Sequence, residues 1–287
     1  MVNRLLTPND DRLLRHRFWR RGNRPGNRIS GGFRDGIVAS LSTLAVLAVL
    51  IAGVTAAPGW STFRKNFLSG FHFRRSFPKI VDGFWLNVRV FTIAFVLCLL
   101  LGLLVAVVRM IPGPAFFPFR FLAVVYTDVF RSVPSIVLIY LFGFGIPGLG
   151  LDRPWNNPIL WGTAAIVLNS AAYVAEVFRS GIRSIHPSQM AAARSLGLSR
   201  RQALRHVVVP QAIRRVIPPL INDFIAVVQS TALLSTLGPL EGLRQAQNYT
   251  SYHFNFTAYL GATLLFLAVT IPLARLGDWL VARQEAR

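Results

Sequence analysis

The sequence predicts an all-α integral membrane protein, a bundle of about six transmembrane helices. Three observations predict it. Hydrophobic residues make up 53% of the chain and its mean hydropathy is +0.48. The apolar residues gather into stretches that suit helices of about 20 residues across a bilayer. The arginines fall between those stretches, as the positive-inside bias requires of a multi-pass chain.

The formal net charge is +20, and only Lys65 and Lys79 among the cations are lysines. Such a surplus also marks nucleic-acid binders. In a membrane protein, however, Arg collects in cytoplasmic loops facing anionic lipid, so lipid and not nucleic acid is the expected partner. Cys98 is the lone cysteine and sits in an apolar run, which excludes an internal disulfide and predicts inert packing.

Residues 1–36 carry Arg4, Arg12, Arg15, Arg17, Arg20, Arg21, Arg24, Arg28 and Arg34 and predict a basic cytoplasmic tail with little to bury. Residues 37–57 predict an extra first transmembrane helix. Thr55, Ala56 and Ala57 would suit a signal-peptide cleavage site, but the apolar run exceeds the usual length of about 7–15 residues, which favours a retained anchor. In residues 58–84, Trp60, Phe63, Phe67, Phe71, Phe73 and Phe77 are interspersed with Arg64, Lys65, Arg74, Arg75 and Lys79. That mixture predicts a segment lying in the membrane interface. Its expected place outside runs against the charge bias.

The further spans are expected at 85–108, 119–145, 158–178, 211–237 and 256–277, with a short tail at 281–287. The connection after Phe178 carries Arg179, Arg183, Arg194, Arg200, Arg201 and Arg205 without an acid, which marks it as cytoplasmic. Counting from it places both termini in the cytoplasm.

That connection also carries the clearest local signals. Ser188, after Pro187, is the expected N-cap of a short helix from Gln189 to Leu196. Gly197 can take the left-handed geometry that ends it. Ser199 and Gln202 have capping-box spacing for a second short helix, and Pro210 predicts a break before the next span. The small Ala191, Ala192 and Ala193 would let a partner approach closely, and a short exposed helix is a recurring docking element.

Ala192, Ala193, Gly197 and Pro210, with Val207 and Val209 between the last two, resemble in spacing the signature loop of ABC-importer permeases: Glu-Ala-Ala, three residues, Gly, nine residues, Ile-x-Leu-Pro. Leu168 to Ile182, Val129 to Pro134 and Pro210 to Gly238 resemble permeases for polar amino acids. The resemblance covers about residues 85–280. It implies a type I ABC-importer permease domain over that range, moving by alternating access. It implies that Ser188, Ala191, Ala192, Ala193, Arg194, Leu196, Gly197, Leu198 and Ser199 form the loop that docks on ATPase subunits. It further implies a periplasmic or lipid-anchored solute-binding protein, a second permease chain, identical or homologous, and the bacterial inner membrane. Three positions depart from the family: Ala191 stands for its Glu, Ser188 for Gly, and Gln229 for a Lys.

Polar residues inside the spans are the candidates for a translocation path: Asn169, Ser170, Glu176, Asn222, Asp223, Gln229, Ser230 and Thr231. A carboxylate at mid-membrane costs about 2.5–3.5 kcal/mol on insertion scales, so it needs a partner or a water-filled path. Pro218 and Pro219 are expected to break their helix just before Asn222, as transporters do where they hold substrate. Interhelical hydrogen bonding accounts equally well for the Asn, Gln, Ser and Thr residues. Asp128 and Arg131, three residues apart, are expected to pair.

No Gly-rich phosphate loop with a Lys is present, so ATP and Mg²⁺ are expected on a partner ATPase, with no cofactor and no enzymatic activity here. His16, His72, His186, His206 and His253 show no metal-ligand spacing. The expected function is therefore a permease subunit for a polar amino acid. A permease for another small solute, or a non-transporting membrane anchor or sensor, are the alternatives.

Overall fold

The structure is a computed structural model that describes residues 31–285, with side chains described from 36 to 283. The expected basic segment thus lies, as far as residue 30, outside the described residues. Among the described residues, five helices are long and apolar enough to cross a membrane, or six spans if one bent pair counts as a single span. The described residues divide into two units, one ending at Ser61 and the other starting at Thr62.

In the first unit, α1 (Gly31–Thr55) is a 25-residue helix whose described side chains are all exposed. In water that surface would be untenable. In a bilayer, lipid tails are as apolar as its Val and Leu side chains.

The second unit is organised on two long helices that pack together, α3 (Gly70–Met110) and α6 (Pro158–Arg183). The short α2 (Trp60–Phe67) precedes Ser69, which caps α3 through the His72 amide. Residues 70–110 are one helix, so no break separates the segment expected in the membrane interface at 58–84 from the span expected from 85. At 41 residues α3 is about 60 Å long, twice the hydrocarbon thickness of about 30 Å. Pro78 lies exposed inside it and removes one backbone hydrogen bond without ending the helix. Gly102 lets α3 approach α6 closely: a Cβ there would lie 2.5 Å from Val174 Cγ1.

The expected span at 119–145 is two helices, α4 (Phe117–Ser132) and α5 (Ser135–Gly145), bent by 105°. Pro134 is the cause. It forces Val133 to an extended ψ of 131° and ends α4. Arg120 closes the turn ahead of α4 by donating from Nη1 to the carbonyls of Ile111 and Gly113, both at 2.7 Å.

After α6 come α7 (Pro187–Ser195), α8 (Arg200–Ala203), a π-turn over Leu204–Val208, and α9 (Val209–Thr231). Two proline expectations are corrected here. Pro210 follows directly on the π-turn without breaking the run of helical residues, and Pro218 and Pro219 lie inside a continuous helix. Neighbouring helices can satisfy the carbonyls that such prolines free. A 3₁₀ stretch, Ala232–Leu237, ends the span at Gly238, with φ 99°.

A helix that the sequence reading did not anticipate, α10 (Gly242–His253), precedes α11 (Thr257–Glu285). Gly83 allows α10 to press on α3, since a Cβ there would lie 2.8 Å from the Leu240 carbonyl oxygen. The central core joins α3, α5, α6 and α9 through Ala94, Cys98, Ile139, Ala165, Ile166 and Val227. Its small members are what close packing between membrane helices requires.

Candidate functional site

The connection between α6 and α9 is a compact foot. Ile185, Val208 and Ala212 are buried together, with Ile182 and Met190 packed against them. Arg215 Nη1 donates to the Ser184 carbonyl at 2.7 Å. Gln211 Nε2 reaches Gln189 Oε1 at 3.4 Å. These contacts seat α7 on the end of α6 and the start of α9.

The local chemistry of the foot differs from expectation at three points. His186, not Ser188, caps α7: its Nδ1 accepts from the Ser188 amide at 3.2 Å. Pro187 is the first helical residue, so the helix starts two residues earlier than expected and ends at Ser195. Ala193 is only 4% exposed and turns inward, so it is not available to a partner, whereas Ala191 and Ala192 are exposed. The earlier start also puts Ala191 in the second turn, where the helix dipole has largely faded.

The rest of the foot follows the spacing. Gly197 has φ +86°, the left-handed geometry of a helix C-terminus, and its N–H bonds the Arg194 carbonyl at 3.0 Å. Ser199 and Gln202 form a reciprocal capping box. Leu198 is half-buried. Leu196 is 85% exposed at the tip, beside the exposed Arg194, Ser195 and Ser199. Leu196 thus presents an apolar side chain on a turn beside a cation.

The path candidates fall into separate settings. Asn169 binds the broken span to α6: it accepts from Ser135 Oγ at 2.9 Å and donates Nδ2 to the Phe130 carbonyl at 2.6 Å. It is 6% exposed, and its role in the structure is interhelical bonding. Ser170 is half-buried beside Cys98. Glu176 Oε2 accepts from Arg109 Nη1 at 2.9 Å and from Arg179 Nε at 3.0 Å, and its Oε1 pairs with Arg179 Nη2.

On α9, Asn222 is exposed, and Asp223 is half-buried with Oδ2 enclosed and without a hydrogen-bond partner. Gln229 is exposed on the wall of a cavity of about 270 Å³ that Thr263 and Thr270 of α11 also line. Ser230 Oγ donates back to the Ala226 carbonyl at 2.8 Å. Thr231 is fully buried and accepts from Asn87 Nδ2 at 3.0 Å. The expected Asp128–Arg131 pair does not form. Arg131 lies over the Tyr173 ring, 5.3 Å from its centroid. The ion pairs among the described residues are Arg109–Glu176, Arg179–Glu176 and Arg275–Asp278.

Two polar centres escaped the sequence reading. One is the Arg109–Thr127 contact at 3.0 Å beside Glu176. The other is Glu241, which is fully buried at the start of α10. Its carboxylate accepts from Asn87 Nδ2 at 2.9 Å and from the Leu243 amide at 3.0 Å, and Asn87 Oδ1 accepts from the Gly242 amide at 3.0 Å. Burial pushes the Glu241 carboxyl above its ordinary range, and the bonds from Leu243, Asn87 and Arg244 pull the other way. A signal for both existed: Asn87 and Thr127 are polar residues inside expected spans, where each needs a partner.

Known proteins place this arrangement. The profile of the family described as "Binding-protein-dependent transport system inner membrane component" matches residues 99–287. A probable glutamine ABC transporter permease protein, GlnM of Bacillus subtilis, is 34% identical over 211 residues, covering 73% of this chain and 95% of that protein. A probable amino-acid ABC transporter permease protein, PatM of Vibrio harveyi, is 33% identical over 207 residues, covering 72% of this chain and 92% of the relative. Among solved structures, a crystal structure of an amino acid ABC transporter with histidines aligns with a TM-score of 0.67 and 29% identity, over 75% of this chain and 98% of that one. The MetNI methionine ABC transporter in inward-facing form shares the fold, with a TM-score of 0.59 and 18% identity over 71% of this chain and 95% of its own. With the spans, the foot and these matches together, the chain is a multi-pass membrane protein that belongs to the family of inner membrane components of binding-protein-dependent transport systems.

Proposed function

We propose that the chain is the permease subunit of an ATP-driven importer for a polar amino acid. The observation that carries this reading is the foot: a rigid, exposed helix–elbow–helix seated on the ends of α6 and α9. The relatives named for glutamine and for other amino acids support the substrate class. ATP and Mg²⁺ bind a separate ATPase, which docks on Ala191, Ala192, Arg194, Leu196 and the Gly197 elbow. A periplasmic or lipid-anchored binding protein delivers the solute from the other side. A second permease chain, identical or homologous, completes the path in the inner membrane.

Asp223 is the path residue with the strongest claim. A buried carboxylate oxygen without a partner is costly unless something else occupies it, and the ammonium of an amino acid is a fitting occupant. Asn222 and Gln229 lie one and six residues away on the same helix, at exposed positions.

The test is reconstitution of the chain with its ATPase and binding protein in liposomes. Uptake of labelled glutamine and arginine is then measured with and without ATP. The reading expects ATP-dependent uptake of at least one polar amino acid, and Asp223→Asn should raise its half-saturating concentration. Failure of the chain to bind any ATPase would sink the reading, because a permease cannot work without one.

A further inference from the structure

We propose that Glu176 is a positioning residue: it ties the end of α3 and the middle of α4 to α6, and so hands the displacement of the α7 tip to those spans. This rests on the permease reading above. The sequence offered Glu176 for the translocation path, but both of its carboxylate oxygens are occupied by guanidinium groups, Oε2 by Arg109 and Arg179 and Oε1 by Arg179. Arg109 Nη1 also donates to Thr127 Oγ1 at 3.0 Å, and Thr127 is fully buried on α4. One guanidinium therefore joins three helices.

The position makes this joint a transmitter. Glu176 lies seven residues before the end of α6 at Arg183, about 10 Å along the helix. Beyond that end, Ile185 is part of the seat of α7. A push on the tip therefore reaches Glu176 through rigid helix. Around the joint, the end of α3 meets α4 and α6 through Val105, Ala106, Ala123 and Ala175, an apolar contact that tolerates sliding, while α4 is also bonded to α6 by Tyr126 Oη to the Leu168 carbonyl and by Tyr173 Oη to the Arg131 carbonyl. A charge-assisted hydrogen bond fixes distance and direction where such packing does not. The pair is partly enclosed, with side-chain exposures of 14% for Arg109 and 22% for Glu176, so solvent screens it less than a surface pair. Asp128, Arg131 and Arg183 complete the charged surroundings of Arg109. With Glu176 neutral, Asp128 is the one carboxylate left among these arginines, and their mutual repulsion loses its nearest counter-charge.

The experiment measures amino acid imported per ATP hydrolysed, in liposomes holding the chain with its ATPase and binding protein. Labelled glutamine or arginine, whichever the wild type carries, is the probe. Glu176→Gln and Arg109→Gln should co-purify with the ATPase at wild-type yield and keep basal hydrolysis, yet import about tenfold less per ATP. Arg109→Lys should stay near wild type, because one ammonium can donate to both Thr127 and Glu176. Should the Gln variants fail to assemble, Thr127→Val removes one anchor at constant shape and should lower the ratio by about threefold. A wild-type ratio in any of the three disrupting variants overturns the proposal. So does a Lys variant as poor as Arg109→Gln, because the loss would then follow packing rather than charge. A wild type that binds its ATPase but imports nothing overturns the permease reading and the proposal with it.

Discussion

Gly197 shows how much one backbone angle decides. At φ +86° a β-branched side chain is strained by about 1–3 kcal/mol, although no atom stands within 4 Å of where its Cβ would be. Gly197→Val should therefore shift the elbow without disturbing the core. The variant should keep its melting temperature within a few degrees yet bind the ATPase more weakly in co-purification, and unchanged binding and uptake would remove the elbow from the docking surface. Ala191→Glu tests the same surface in the opposite direction. Because Ala191 sits in the second turn of α7, the dipole adds little, and the chain's own stability should not change. Any gain must appear as tighter ATPase binding through the exposed carboxylate, so reduced co-purification contradicts a complementary, basic partner surface.

Glu241 makes a pH-dependent contribution. Its folded carboxyl is held above the ordinary carboxylate range by burial. The folded state then binds the proton more tightly than the unfolded one. The stabilisation is complete below the unfolded pKa and is lost as pH rises through the folded value. Melting curves in detergent from about pH 4 to about pH 8 should fall more steeply for the wild type than for Glu241→Gln, which has no carboxyl to ionise. Parallel curves would mean that the bonds from Asn87, Leu243 and Arg244 already stabilise its anion in full.

At the scale of elements, the bent pair α4–α5 depends on a side chain from another helix. Pro134 ends α4 and leaves carbonyls near the break without helical partners. Asn169 answers one of them, at Phe130, and holds Ser135 as well. Asn169→Leu should cost about 1–3 kcal/mol, because the enclosed polar groups stay unpaired. Thermal unfolding in detergent measures this. A loss under half a kcal/mol, in the spirit of the modest averages for membrane helix hydrogen bonds, would show that water replaces Asn169. The 105° bend had its signal in Pro134, but an apolar run of 27 residues reads as one span until a tertiary partner for the break is known.

For the whole molecule, topology is the open test. An Arg-rich foot on the inside puts residues 58–84 and Asn156 outside by counting spans. Single cysteines at Ser61, Asn156 and Ser199 in a Cys98→Ala background report it through an impermeant thiol reagent on spheroplasts. The first two should label and the third should not. Protection at Ser61 with labelling at Asn156 would place residues 58–84 within the bilayer or inside, and the first apolar run would then not be a full span.

What the sequence determined by itself was whatever depends on nearest neighbours and on the solvent. Span-length apolar runs set the all-α class, because lipid leaves the backbone no other partner than its own helix. Local turn chemistry set the Gly197 elbow and the Ser199 capping box, and the spacing of Ala192, Gly197 and Pro210 carried the family. Tertiary structure decided the rest. It kept α3 whole across residues 70–110 and α9 whole through Pro218 and Pro219, because packed neighbours outweigh local breakers. It turned Ala193 inward, and it ordered the polar α10, whose buried Gly242, Ala246, Tyr249 and Thr250 share one face. It also gave Asn169, Glu176 and Thr231 their partners on other helices. A polar residue in a span announces only that it needs a partner. Which one it finds depends on helices far away in sequence, and only their packing brings the two within reach.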